Sequence, residues 1–281
     1  MFVISDLHIG DGSPKDNLCQ DNREALLHSF LDYVIDQEGR LVIIGDFLEL
    51  LRYPLDQIVA RRGDLLDRLA RMETLYVPGN HDEDAARLID GAAWPHAFFA
   101  RMSPAFTRYI GGRRFKFMHG HEVDPFINPR VQNLGRMIGS VAHFLEFRQG
   151  ACILSNDAVT DALLEVGEQL LRLWGGLTGR MNRAIRECCE MMPAEKVTLL
   201  ARGIRTHRML ERYHADKTEG LYDVAIVGHT HKAGTFGNWY CNSGSWTGRT
   251  NDFLRITPDG NIGVFDWSRH GPRRNHTVVA T

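Results

Sequence analysis

The hydrophobic positions of this 281-residue chain change rhythm twice. Short, mostly apolar runs come first: Phe2-Val3-Ile4, Leu41-Val42-Ile43-Ile44, Thr74-Leu75-Tyr76-Val77 and Phe115-Lys116-Phe117-Met118. Runs of this length predict buried strands. Between them, apolar residues recur three and four apart. Arg23 to Gln37 carries Ala25, Leu26, Phe30, Leu31, Val34 and Ile35, which predicts an amphipathic helix ended at Gly39. Val59 to Met72 predicts a second. Strands alternating with helices imply an α/β fold with a largely parallel core.

The rhythm then turns helical from about Glu122 to Gly220, a stretch long enough for a small subdomain. Three apolar stripes mark it, beginning at Met137, Leu163 and Leu199. The strand pattern returns with Val224-Ala225-Ile226-Val227, Trp239-Tyr240-Cys241, Phe253-Leu254-Arg255-Ile256 and Ile262-Gly263-Val264-Phe265. Pro258-Asp259-Gly260 between the last two predicts a hairpin turn. The expected organisation is one α/β domain made of residues 1–121 and 221–268, a helical insertion over 122–220 acting as a cap or lid, and a polar tail over 269–281 that frays.

Composition narrows the partners. The chain is 43% hydrophobic and 24% charged, with a formal net charge of −2. No global basic field draws it to nucleic acid, which is not an expected partner. Cys19, Cys152, Cys188, Cys189 and Cys241 are odd in number and lack Cys-x-x-Cys spacing, as expected in a reducing compartment. No apolar stretch reaches the roughly 18 residues that span a bilayer. A cleavable leader would remove Asp6, so a mature N-terminus and a cytoplasmic protein are expected, with peripheral contact to an inner membrane as a further option.

Candidate chemistry gathers where strand-like runs end: Asp6-Leu7-His8, Gly45-Asp46, Gly79-Asn80-His81-Asp82, His119-Gly120-His121 and Gly228-His229-Thr230-His231. Sites in α/β sheets collect at that edge. Residues i and i+2 on extended backbone point the same way, so Asp6 with His8, and His229 with His231, each aim two ligands at one place. Asp, His and Asn donors without thiolate suit Mn²⁺, Fe²⁺ or Zn²⁺. Asp46 is the natural carboxylate to bridge two ions about 3.5–4 Å apart. His81 is placed to supply a proton near the leaving oxygen, and Asp82 is the residue expected to orient its ring.

The ordered set resembles the calcineurin-like metallophosphoesterase superfamily. That resemblance implies a two-sheet αββα sandwich with a helical insertion and two divalent ions, Mn first among them. Asp6, His8, Asp46 and His231 would hold one ion; Asp46, Asn80, His119 and His229 would hold the other; a metal-bridged hydroxide would be the nucleophile, and His81 would assist catalysis. Ser5-Asp6-Leu7-His8, Gly45-Asp46-Phe47-Leu48-Glu49-Leu50, His119-Gly120-His121-Glu122 and Asn242-Ser243-Gly244-Ser245-Trp246 are similar to the branch related to UDP-2,3-diacylglucosamine pyrophosphohydrolases. This implies a phosphate-ester or pyrophosphate substrate, with a nucleotide-linked lipid as one form of it. The chain departs from the best-known members at His81, where they carry Arg, and at His121, where they carry Asp. Arginines of the insertion, among them Arg172, Arg180, Arg183, Arg186, Arg202, Arg205, Arg208 and Arg212, would suit a phosphate-bearing amphiphile or form a solvated helix face.

Other readings stay open. One is a phosphodiesterase or nuclease. Another is a protein phosphatase, which usually reads Gly-Asp-x-x-Asp-Arg-Gly and Gly-Asn-His-Glu, where this chain has Glu49-Leu50-Leu51 and His81-Asp82. A third is a non-catalytic scaffold, from which ligand losses would be expected.

Overall fold

The computed structural model describes residues 1–86, 95–124, 194–248 and 250–275, with backbone alone for 194–205 and 275. In chain order they form β1 (Phe2–Ile4), α1 (Arg23–Asp36), β2 (Leu41–Ile44), α2 (Leu55–Arg71), β3 (Leu75–Val77) and the single helical turn α3 (Glu83–Ala86). Next come β4 (Phe106–Ile110), β5 (Arg113–Phe117), α4 (Ala194–Thr218), β6 (Val224–Val227), β7 (Gly234–Phe236) and β8 (Tyr240–Asn242). The last strands are β9 (Asp252–Ile256), β10 (Ile262–Ser268) and β11 (Gly271–Asn275).

Two mixed sheets result. One has the order β11-β10-β9-β1-β2-β3, the other β4-β5-β6-β8-β7. Each has a parallel centre, β1-β2-β3 and β5-β6-β8, with antiparallel strands added outside it. Alternate side chains of a strand face opposite sides, and that splits the core in two. Val3, Val42, Ile44 and Val77 of the first sheet cluster with Phe115, Phe117, Val224, Ile226 and Cys241 of the second. Phe2, Ile4, Leu41 and Ile43 point the other way and cluster with Phe30, Leu31, Leu66 and Leu69 of α1 and α2. The architecture is the expected αββα sandwich.

The helix α1 buries Phe30, Leu31 and Val34 of the predicted stripe, together with Leu27, which the predicted stripe left out. Ala25 and Ile35, expected on that face, are instead exposed. Gly39 ends the helix by donating its N–H to the Val34 carbonyl at 2.9 Å. The helix α2 starts four residues before the expected Val59, with extended Pro54 at its N-cap and Asp56 in its first turn.

Three strands lacked any predicted pattern: β4, β7 and β11. All three are sheet edges. Thr107, Arg108 and Tyr109 of β4 are exposed, and β11 reads Gly-Pro-Arg-Arg-Asn. An edge strand need not bury both faces, so it leaves no apolar run to detect. The frayed tail expected from residue 269 is corrected accordingly: through Asn275 it pairs with β10, Ser268 opposite Gly271 and Val264 opposite Asn275.

Met1–Val123 with Arg212–Ala280 forms one compact unit, and Asp124–Glu211 falls in a second. Most of the helical stretch expected over 122–220, including the stripes beginning at Met137 and Leu163, lies outside the described residues. No described helix is long and apolar enough to cross a membrane.

Candidate metal centre

All five motifs follow their strands at the same edge of the sandwich. Asp6 comes two residues after β1, Asp46 two after β2, His119 two after β5 and His229 two after β6, while Asn80 comes three after β3. The loops after β1 and β2 go on pairing: His8 N–H donates to the Asp46 carbonyl (2.9 Å) and Ile9 N–H to that of Phe47 (2.8 Å). One expectation is corrected here. The Asp-x-His and His-x-His pairs do not lie on extended backbone. Asp6 (φ 54°), His8 (48°), Asp46 (48°), His229 (69°) and His231 (56°) are all left-handed. Such conformations are costly for residues with a Cβ and cluster at functional sites.

The pairs converge nonetheless. Asp6, His8 and His231 present ligand atoms within 4.8 Å of one another, and so do Asp46, His119 and His229. Asp46 faces both groups: its Oδ2 lies 3.2 Å from His119 Nε2 and 3.8 Å from His8 Nε2. Its Oδ1 accepts the His81 N–H at 2.8 Å. Asp6 Oδ1, His8 Nε2, Asn80 Oδ1 and His119 Nε2 are buried atoms with no hydrogen-bond partner. The opposite sides of these groups are held. His119 Nδ1 meets the Ile44 carbonyl at 2.9 Å, and His8 Nδ1 meets Glu49 Oε2 at 2.8 Å. Each imidazole therefore turns Nε2 inward, the arrangement metal-bound histidines adopt.

Glu49 is the functional residue that sequence reasoning missed. Its buried carboxylate also meets His81 Nδ1, at 2.9 and 3.0 Å. It forms a third close group with His8 and His81, whose rings meet edge to face at 4.5 Å. A sequence signal existed, since Glu49 stands three residues beyond Asp46, but nothing local says it turns toward two histidines 41 and 32 positions away.

Asp82 does not orient His81. Its oxygens accept from Gly79 N–H, from Phe47 N–H (2.7 Å), from Leu48 N–H (3.1 Å) and from Tyr76 O–H (2.5 Å). It braces the Gly79–Asp82 turn against the loop after β2. His121 keeps a buried Nδ1 without a hydrogen bond, 3.7 Å from a Glu122 oxygen, with its ring 5.4 Å from that of His119.

Burial raises the Asp46 carboxyl, but His119 and then His81 outweigh it and hold the group well below the usual carboxylate range. Glu49 is likewise pushed up by burial and drawn well down, chiefly by His81. Burial alone would lower His119, yet Asp46 raises it to about 10. His81 also rises to about 10 against burial, through Glu49 first and Asp46 second.

A profile of calcineurin-like phosphoesterases matches residues 1–233. The chain belongs to the calcineurin-like phosphoesterase family. Membership means metal-dependent phosphoester hydrolysis in general, and members of this family typically bind two divalent ions. Among solved structures, the chain is similar to Vps29 from Entamoeba histolytica complexed with zinc, at 15% identity and a TM-score of 0.37 over 98% of this chain and 97% of that one. A single mutant of the same Vps29 gives 16% identity and 0.38 over the same shares. Vacuolar protein sorting 29 from Cryptosporidium parvum gives 14% and 0.38 over 98% and 95%. No curated protein matches the chain.

Proposed function

We propose that this calcineurin-like phosphoesterase is a dinuclear phosphoric-ester or diphosphate hydrolase. Asp6, His8, Asp46 and His231 would hold one divalent ion, and Asp46, Asn80, His119 and His229 the other. The observation that carries the reading is a set of four buried ligand atoms without a hydrogen bond: His8 Nε2, Asn80 Oδ1, Asp6 Oδ1, which faces His231 Nε2 at 3.0 Å, and His119 Nε2, which faces Asp46 Oδ2 at 3.2 Å. A buried polar atom left unsatisfied costs about 1–3 kcal/mol. A cation satisfies oxygen and nitrogen lone pairs together, and this donor set, free of thiolate, suits Mn²⁺, Fe²⁺ or Zn²⁺. A scaffold that had given up the chemistry would be expected to lose ligands, and every expected ligand type is retained here.

Two such ions acidify water near neutral pH and neutralise charge that builds on phosphoryl oxygens. The protein supplies the rest. Glu49 occupies His81 Nδ1, so Nε2 is the atom free to deliver a proton to the leaving oxygen. In the metal-free protein Glu49 first and Asp46 second raise the His81 pKa to about 10, so the ring is protonated at neutral pH, and Glu49 remains beside it where Asp46 would hold metal. Asp82 fixes the turn that carries Asn80 and His81, and the His81 N–H of that turn donates to Asp46 Oδ1.

For the substrate we propose a nucleotide-linked pyrophosphate, UDP-2,3-diacylglucosamine or a related lipid. The support is the motif resemblance at Ser5-Asp6-Leu7-His8, Gly45-Asp46-Phe47-Leu48-Glu49-Leu50 and Asn242-Ser243-Gly244-Ser245-Trp246. Residues 122–220 would then cap the acyl chains, and the enzyme would work in the cytoplasm at a membrane face. The test is Mn²⁺-dependent release of UMP from UDP-2,3-diacylglucosamine, with Asp46→Ala as the blank. Mutant-sensitive release supports the lipid reading. No release beside mutant-sensitive cleavage of a generic phosphodiester keeps the chemistry and discards the substrate.

A further inference from the structure

The Asn242-Ser243-Gly244-Ser245 segment takes no part in the chemistry above, yet it lies directly behind it. It leaves β8, which runs parallel to β6, and β6 delivers His229 and His231. Asn242 is fully buried. Its amide donates to the Gly228 carbonyl at 2.5 Å and to Thr230 Oγ1 at 3.1 Å, while its Oδ1 accepts the Gly244 N–H at 2.9 Å. One side chain thus grips the turn that carries both histidines on either side of His229.

Ser243 grips the other half of the site. Its Oγ lies 2.7 Å from Ser5 Oγ, and Ser5 Oγ bonds Asp6 Oδ2. Both serines are fully buried. Each hydroxyl has one proton. A carboxylate only accepts, so Ser5 donates to Asp6 and Ser243 donates to Ser5. The competing acceptors are the Gly244 carbonyl, 3.0 Å from Ser5 Oγ, and the Val227 carbonyl, 3.2 Å from Ser243 Oγ. Val227 already accepts the Ser243 N–H at 2.8 Å, so it loses little. Asp6 Oδ2 also accepts the His229 N–H at 3.1 Å. The two Asp6 oxygens are thereby divided: Oδ2 is saturated from behind, and Oδ1 is left without a hydrogen bond, 3.0 Å from His231 Nε2. Gly228 permits this approach, because a Cβ there would stand 2.5 Å from Ser5 Oγ and 2.7 Å from Asp6 Oδ2.

We infer that Ser5, Ser243 and Asn242 are positioning residues. The hydroxyl pair selects which Asp6 oxygen faces the cation, and the Asn242 amide holds the Gly228–Thr230 turn in register with it. The inference rests on the two-metal reading and makes the Asn-Ser-Gly-Ser segment a rigid back wall joining the first ligand motif to the last.

The test uses the full chain stripped with EDTA, titrated with MnCl₂ by calorimetry, with metal-free melting measured in parallel. Wild type should take up two Mn²⁺. Ser5→Ala should weaken one of the two steps by about 10–100-fold, the range for partners that orient metal ligands. Ser243→Ala should weaken the same step by less, and the double variant should bind no more weakly than Ser5→Ala alone, as coupled residues do. A general packing role would instead weaken both steps together with the metal-free melting temperature. That result, an unchanged Ser5→Ala isotherm, or fully additive losses would overturn the inference. If Ser5→Ala fails to fold, Ser243→Ala decides by the same step-selective criterion. Two Mn²⁺ bound by wild type and equally by the variants sinks this inference alone, whereas no Mn²⁺ bound by wild type sinks the two-metal reading with it.

Discussion

At Glu49 one buried carboxylate faces two imidazoles, and this contact links a metal-facing ring to the ring assigned as proton donor. Glu49→Gln keeps the shape and removes the charge that most raises His81. We expect kcat to fall about 10–100-fold, with Mn²⁺ stoichiometry still at two. The basic limb of the pH–rate profile should move to lower pH, because His81 would lose its proton sooner. An unmoved limb would take the acid role away from His81. Asp46 is the contrasting case. It stands between both ligand groups, so Asp46→Ala should bring bound Mn²⁺ below two per chain and abolish turnover. Elemental analysis of the purified variant checks the first part, and retained wild-type rates would refute its bridging position.

Among the elements, the loops that follow strands carry the tightest tolerances. A Cβ at Gly79 would stand 2.6 Å from the Asp46 backbone N and 2.8 Å from His119 Cδ2. Gly79→Ala should therefore damage Mn²⁺ binding by displacing Asp46 or His119, visible as a weakened calorimetric isotherm. Gly63, inside α2, is the opposite: nothing lies within 4 Å of a Cβ built there, and its φ is not positive. Gly63→Ala should stabilise by about 0.4–1 kcal/mol, chiefly by restricting the unfolded chain. That is about 1–4 °C in melting temperature at unchanged activity. A lower melting temperature would mean that the kink at Arg62 needs the glycine.

At the scale of the whole molecule, the site is a charge cluster assembled from residues spread between Asp6 and His231, and its pH response belongs to the fold. His81 and His119 are raised to about 10 in the metal-free protein. Their stabilising effect is complete below the ordinary histidine value and disappears as pH rises through about 10. Asp46 and Glu49 are depressed, so their contribution holds above the ordinary carboxylate range and disappears as pH falls through the lowered values. Metal-free melting temperatures should thus decline from neutral pH toward 10 and again in acid. Metal ligation requires neutral imidazole, so Mn²⁺ uptake below about pH 10 must expel the His119 proton. Apparent affinity should rise between pH 6 and 9. Titrations in buffers of different ionisation enthalpy should show protons released, and a buffer-independent heat would contradict the raised His119.

What the sequence determined by itself is whatever depends on local pattern and donor chemistry. Strands buried on both faces, such as Leu41–Ile44 and Val224–Val227, announce themselves because every position must be apolar. The ligand types and their order are likewise written in five short motifs. Edge strands β4, β7 and β11 were not legible, since pairing through backbone hydrogen bonds asks nothing of their side chains. Nor was the choice between Asp82 and Glu49 as the partner of His81, because it turns on which way two carboxylates point after the loops close. The left-handed backbone at Asp6, His8, Asp46, His229 and His231 and the Ser5–Ser243 contact across 238 residues have the same origin. Those features exist only when distant loops are pressed together, and the packing of two sheets at one edge decides them.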